Sequence, residues 1–327
     1  MRFTDKIYGN IEITEPVVLE LIDTPQLQRL KKIHQYGIYH YFYPEADTTR
    51  FEHSLGVYWL LKQFGAGLEE QLAGLLHDIS HGTFSHVIDH LYNRYEKEDY
   101  QESVNKKYFQ TDISAVLKKY KIDTDAVEDI KRWPLAENEL PNICADRLQY
   151  TLGDGVTANR IDQKKAKIII NDLVVKNDMI VFHDKDIAKE FAELSLWMCG
   201  NFWHSNWGVY SYNMLKNIIV MAIEAGVLMK EDLATDDDVV IEKLENCSNN
   251  DIIEATRRLK NLDRNKVIED ADIYDYIHKK SKMRVIDPLV IVEDRLVRVS
   301  EIYPEFKLAF EKEKERVNRS RYLKLID

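Results

Sequence analysis

Apolar positions recur at helical spacing along most of this chain and alternate at strand spacing in only three short stretches. Val17, Leu21 and Ile22 share one face of a helix that starts at Thr14-Glu15-Pro16, and Leu27, Leu30 and Ile33 share one on a second helix after Asp23-Thr24-Pro25. The same periodicity predicts helices over 50–65, 68–78, 83–93 and 111–120, then one over 142–153 stopped by Gly153 and Gly155. A long helical stretch follows over 187–228, with a break expected near Gly200 or Gly208. Thr235-Asp236-Asp237-Asp238 and Asn249-Asn250-Asp251 read as helix starts, and the tail from Pro304 reads as a charged helix. The alternating stretches are 1–15, with Gly9-Asn10 as turn chemistry, 168–182, a small hairpin or meander, and 284–299, an edge hairpin around Pro288. These elements predict a mostly α protein with small β hairpins, organised as a helical core over 1–230 and a C-terminal α+β lobe over 231–327.

Composition adds little to the fold but narrows function. Of the 327 residues 45% are hydrophobic, ordinary for a chain that fills a core. No apolar run is long enough to span a bilayer, and Met1-Arg2-Phe3-Thr4-Asp5-Lys6 lacks an apolar signal core, so a cytoplasmic protein without a membrane partner is expected. A net charge of -11 argues against broad nucleic-acid binding while leaving room for a local basic pocket. Cys144, Cys199 and Cys247 are far apart, form no C-x-x-C pair and read as reduced thiols.

The chemistry concentrates at His53, at the dipeptide His77-Asp78 and at Asp146. Imidazole and carboxylate together suit a divalent metal (Mn, Fe, Co, Zn or Ni, with Mg possible on phosphates), and such a metal can activate water and neutralise phosphate charge. His77 and His81 are four apart and would share a helix face, Gly82 would end that helix, and His86 and Asp89 are three apart on the next. His34, His40, His90, His183 and His204 read instead as ordinary core or surface histidines. His183-Asp184 repeats the dipeptide, but at a strand-to-helix junction where Asp184 or Asp186 would serve as a cap.

Thr24-Pro25-Gln26-Leu27-Gln28-Arg29-Leu30, Gln35-Tyr36-Gly37, Arg50-Phe51-Glu52-His53-Ser54-Leu55-Gly56, His77-Asp78-Ile79-Ser80-His81-Gly82-Thr83-Phe84-Ser85-His86 and Ala145-Asp146-Arg147-Leu148 occur in this order. Together they resemble the HD-superfamily deoxynucleoside triphosphate triphosphohydrolases, densely over residues 5–155 and weakly beyond 230. The resemblance implies an HD-domain helical core with His53, His77, Asp78 and Asp146 as metal ligands, and His81, His86 and Asp89 handling water and protons. It implies Arg50 and Arg147 facing phosphates, Gln35 and Asp154 reading sugar hydroxyls, and Tyr150 and Tyr210 packing on sugar or base. Asp23, Gln28 and Lys31 fall at positions of an allosteric nucleotide site, with capping and packing between the first two helices the competing reading.

The chain departs from the family pattern twice. Phe202 or Trp203 stands where the family has a basic residue for the terminal phosphates, and Asp99-Tyr100-Gln101-Glu102-Ser103 lacks a family His. The expected activity is therefore conversion of a dNTP to deoxynucleoside plus tripolyphosphate by a homo-oligomer. The alternatives are a nucleotidase or phosphodiesterase on another nucleotide, a non-catalytic nucleotide-binding HD protein and, ranked lowest, a two-iron oxygenase.

Overall fold

The computed structural model describes residues 1–94 and 96–326. The chain opens with an antiparallel hairpin, Arg2–Asp5 against Gly9–Glu12, in the register Arg2↔Glu12. Its turn is residues 6–8, because the Asp5 carboxylate accepts from Ile7 N at 2.6 Å and Tyr8 N at 2.9 Å. Gly9 thus begins the second strand, and the turn expected at Gly9-Asn10 lies three residues earlier.

The helix Arg50–Gln63 is the axis of the molecule. Thr49 and Glu52 close its N-terminus reciprocally, side chain to backbone in both directions. It packs against the helices Leu68–Leu76 and Ala145–Thr157. Its buried residues run right round its circumference, from Arg50 and His53 at one end to Leu60 and Leu61 at the other. Full burial of a Leu of this kind contributes about 1.5–3 kcal/mol. Gly56 permits the approach of Ala145–Thr157, since a Cβ there would lie 2.6 Å from the Gln149 amide nitrogen.

Several predicted elements shift. Leu68–Leu76 ends at His77, so His77 and His81 do not share a helix; residues 77–86 form turns, and only Val87–Leu91 is helical in the expected 83–93. Ala145–Thr157 runs through Gly153 and Gly155 rather than stopping there. Gly155 is used for packing, because a Cβ on it would meet Ile161 and Leu194 at 3.1 Å. Ile168–Ile170 belong to the helix Gln163–Asp172, and the hairpin begins only at Leu173–Lys176 and Met179–Phe182. The long stretch divides into Lys185–Met198, a wide helical turn Cys199–Trp203, and Asn206–Glu224, the last capped by Ser205. Asp184 caps Lys185–Met198 through Asp186 N and Ile187 N, which makes the second His-Asp dipeptide a helix start as expected.

The C-terminal part folds back on the first. Leu289–Val292 pairs in parallel with Met179–Phe182 and antiparallel with Arg295–Arg298, making a four-stranded sheet from two distant hairpins. A three-stranded sheet places Arg321–Leu325 between Val267–Glu269 and Tyr276–His278. No helix among the described residues is long and apolar enough to cross a membrane.

Candidate metal centre

His53 comes from the first turn of the axial helix, His77 from the C-terminal end of Leu68–Leu76, Asp78 from the turn that follows and Asp146 from the first turn of Ala145–Thr157. Their polar atoms converge. His53 Nε2 lies 2.9 Å from Asp146 Oδ1 and 3.2 Å from His77 Nε2, and His77 Nε2 lies 3.5 Å from Asp146 Oδ1. Asp78 Oδ1 is 3.3 Å from His77 Nε2, while its Oδ2 is 3.7 Å from His53 Nε2 and 2.8 Å from Arg50 Nη1. Atoms that share one ion at bond lengths near 2.1 Å lie about 3–3.5 Å apart, so the spacing fits a common cation.

The outer contacts fix the tautomers. His53 Nδ1 contacts Gln149 Oε1, and His77 Nδ1 donates to Gly74 O at 2.7 Å. With the outer nitrogens so engaged, both rings turn Nε2 inward, where a metal would take the place of a proton, the arrangement typical of metal-binding histidines. Asp146 closes a three-residue set with His53 and His77 that could hold an ion, and Asp78 adjoins it through His77. Burial would raise the Asp146 carboxyl, but hydrogen bonds from His53 and His77 hold it well below the usual range. Burial would likewise raise Asp78, which Arg50, His77 and His81 keep well below it. Burial works against a proton on His77, yet Asp78 and Asp146 lift it to about 9. The cluster thus calls for positive charge at its centre, which a divalent ion would supply in place of that proton. Glu137 and Cys144 also lie near Asp146. Burial pushes the Cys144 thiol up, and Glu137 Oε1 accepts from Arg147 Nη2 at 2.5 Å, so neither is a comparable donor.

His81, His86 and Asp89 flank this centre. His81 Nε2 is 3.3 Å from Asp78 Oδ1, the His81 and His86 rings meet edge-on at 5.1 Å, and His86 Nδ1 lies 3.0 Å from Asp89 Oδ2. Burial lowers both imidazoles to about 3, Arg50 adding to the effect at His81. The turn that presents His86 is strained: Phe84 and Ser85 adopt φ of 57° and 53°, in the left-handed region. Asp237, at the start of the helix Asp237–Glu245, holds it by accepting from Phe84 N at 2.6 Å and from His34 N at 2.8 Å.

A cavity of about 1120 Å³ opens from the metal centre. Gln35, Arg50, Arg147, Tyr150 and Asp154 all line it, with His77, Asp78, His81, His86 and Asp146. Arg50 is tied to Asp78 and to Ser85 Oγ at 2.9 Å, and Arg147 to Glu137. Among the described residues, buried Gln35 Oε1, Tyr36 OH, Gln101 Oε1 and Asn105 Oδ1 have no hydrogen-bond partner, and all four residues line the cavity. Trp203 donates to Asp154 Oδ2 at 2.5 Å and packs edge-on against Tyr150 at 5.1 Å. Burial raises the Asp154 carboxyl to about 8.

Tyr210 is placed elsewhere. It packs with Leu262, Val267 and Leu323 and donates to Asp275 Oδ2 at 3.0 Å, while Tyr212, two residues on, lines the cavity. On a helix two residues differ by more than half the circumference, so a two-residue alignment offset exchanges the inward and outward faces. Lys282, Arg284 and Glu98 also line the cavity. Sequence reasoning passed over them, because no motif surrounds them and an isolated Arg beyond residue 230 carries no local signal.

A family model described as the HD domain matches residues 50–172, the span that supplies all four converging side chains. The chain is 32% identical to the uncharacterized protein YdhJ of Bacillus subtilis across 100% of its own length and 99% of that protein's. It is also 32% identical to the metal-dependent phosphohydrolase cns2 of Cordyceps militaris, over 68% of this chain and 66% of that one.

The chain belongs to the HD-domain superfamily of metal-dependent phosphohydrolases.

Similarity to mouse deoxynucleoside triphosphate triphosphohydrolase SAMHD1 is higher, at 43%, but covers 27% of this HD protein and 15% of the mouse enzyme. A solved phosphohydrolase from Bacteroides thetaiotaomicron shares the fold, with a TM-score of 0.72 over 99% of both chains at 18% identity.

Proposed function

We propose that this HD protein hydrolyses a phosphate ester of a nucleotide, and that a dNTP cleaved to deoxynucleoside and tripolyphosphate is the first substrate to try. The observation that carries the reading is the continuity of the site. One cavity joins His77, Asp78 and Asp146, with His53 buried behind them, to the His81–His86 imidazoles and to a wall of Tyr150, Trp203 and Asp154. The local similarity to the triphosphohydrolases supports the choice of substrate.

A divalent ion held by the four ligands would acidify water and neutralise phosphate charge. The chain's own residues supply the rest. Arg50 sits beside Asp78 and holds its carboxylate charged and oriented. His86 keeps its Nδ1 proton toward Asp89, which leaves Nε2 facing the cavity as a proton acceptor. An entering phosphate brings negative charge next to that ring and offsets the burial that keeps a proton off it. Gln35 offers an unpaired amide oxygen to a hydroxyl, and the Tyr150 and Trp203 rings form an apolar wall of the cavity that excludes water.

A second reading, a nucleotidase or phosphodiesterase acting on fewer phosphates, draws support from Trp203 and Arg147. Phe202 or Trp203 puts an aromatic ring where the family has a cation, and Arg147 is paired with Glu137. Incubating the protein with a nucleotide panel and Mn²⁺, and resolving products by mass, decides between them. Intact tripolyphosphate supports the first reading and single phosphate the second. No product from any nucleotide with any metal contradicts both. The reduced state of Cys144, Cys199 and Cys247 is in keeping with a cytoplasmic enzyme.

A further inference from the structure

Residues 279–288 link the strand Tyr276–His278 to the strand Leu289–Val292 without regular structure, yet the link is firmly anchored. Ser281 N donates to Val317 O at 2.9 Å, Ile286 N to Ser195 Oγ at 3.0 Å and Asp287 N to Pro141 O at 3.1 Å. Val285 and Ile286 are fully buried. Within these anchors Lys282 and Arg284 reach the cavity. The Arg284 guanidinium rests against Glu98, and its Nη2 lies 3.4 Å from His86 Nε2. Side-chain exposure is only 17% for Arg284 and 10% for Glu98. Arg284 thus adjoins the proton-handling imidazole, and its charge acts on Tyr150, Asp146, Asp154 and Tyr212, all of which line the same cavity.

A buried Arg–Glu pair is a weak stabilising device, because desolvating both ions offsets most of their attraction. Its location is what distinguishes it. The two cations expected at phosphate are committed elsewhere, Arg50 to Asp78 and Ser85, Arg147 to Glu137. The stretch from Trp197 to Gly208 contains no Lys or Arg. A carboxylate and a phosphoryl group offer an arginine fork the same kind of oxygen pair.

We propose that Arg284 is a phosphate-binding residue of this site, and that Glu98 is the internal anion which occupies its fork until a phosphate displaces it. This rests on the phosphohydrolase reading and adds to it that the C-terminal lobe completes the active site. The phosphate is then held between the ion's side of the cavity and a cation that lies outside the HD-domain match.

Calorimetric titration of inorganic phosphate, and separately of tripolyphosphate, into the full-length Mn²⁺-loaded protein tests this. Arg284→Ala should weaken phosphate binding by roughly tenfold or more, and Arg284→Lys, which keeps the charge and loses the fork, by less. Glu98→Gln should strengthen it, because the competing anion is gone. A thermal melt and a metal assay on each variant establish folding and ion content; should Arg284→Ala fail to fold, Arg284→Lys and Glu98→Gln still give opposite signs. Phosphate affinity within twofold of wild type in the Arg284 variants, or weaker binding in Glu98→Gln, overturns the proposal. Binding is read without turnover, so the two readings separate. Arg284-dependent phosphate binding in a protein that hydrolyses no nucleotide sinks the activity and leaves this inference standing. Nucleotide hydrolysis indifferent to Arg284 does the reverse.

Discussion

The two parts of the cavity lining are built on opposite plans. The metal end comes from residues 53–146, where short turns and helix ends pin each candidate ligand and each imidazole has an outer partner, Gln149 for His53 and Gly74 for His77. The other part is assembled from Trp203, Tyr212, Lys282 and Arg284, on segments that share no motif and come together through tertiary packing. The difference separates reaction class from substrate choice. The first depends on a compact constellation whose spacing is written locally; the second depends on tertiary placement.

The largest effect should come from the metal end. His77→Ala or Asp146→Ala should lose the ion and lower kcat/KM by roughly a thousandfold, about 4 kcal/mol of barrier. Metal analysis beside a phosphate-release assay checks this, and an active, ion-loaded Asp146→Ala protein would break the comparison at its root. Next is Gln149→Ala, which removes the partner that orients His53 and should weaken metal affinity by about 10- to 100-fold with the fold retained.

Asp237→Ala tests whether the C-terminal part also reaches the metal end. It strips the acceptor from Phe84 N and His34 N and should cost on the order of 3 kcal/mol of stability, seen in a denaturant melt. The left-handed turn at Phe84 and Ser85 should relax with it and take His86 out of line, lowering kcat more than it changes KM. Tyr212→Ala should raise KM by roughly tenfold through the lost wall of the cavity, whereas Tyr210→Phe, which loses only the bond to Asp275, should leave kcat/KM within about twofold. Equal effects in the two variants would erase the inward–outward distinction between them.

The last prediction is a pH dependence. Burial lifts the Asp154 carboxyl to about 8 in the folded protein, above its value when unfolded. The folded chain therefore holds a proton that the unfolded chain releases between these values, and this group's contribution to stability falls as pH rises from about 4 to 8. Asp154→Asn removes that slope, so its melting temperature relative to wild type should climb across that window and level off above it. A difference that is flat with pH would show the carboxyl to be charged throughout.

The metal end was legible because its parts carry their own grammar. His77-Asp78 sits at a helix end in a run of small and polar residues, and Asp146 opens a helix beside Arg147. The helix over 111–120 was equally readable from its apolar spacing, and the one after Asn249 from its capping side chain. The misreadings have a common cause. Gly9, Gly153 and Gly155 read as punctuation, but Asp5 makes the first turn and Gly155 admits Leu194 and Ile161 against the helix. Ile168–Ile170 are β-branched yet helical, because tertiary packing of Ala166 and Ile169 outweighs local preference. Arg284 and Asp237 were invisible for the same reason, since each acts on a partner far away in the chain.

The central claim is that His53, His77, Asp78 and Asp146 share a divalent ion that phosphate hydrolysis requires. Its most direct test is to strip the full-length protein with chelator, verify the loss by elemental analysis, and follow phosphate or tripolyphosphate release as Mn²⁺ is titrated back. The account predicts that activity vanishes with the ion and returns in proportion to it, saturating at one ion per chain. Full turnover by protein shown to be metal-free would contradict it.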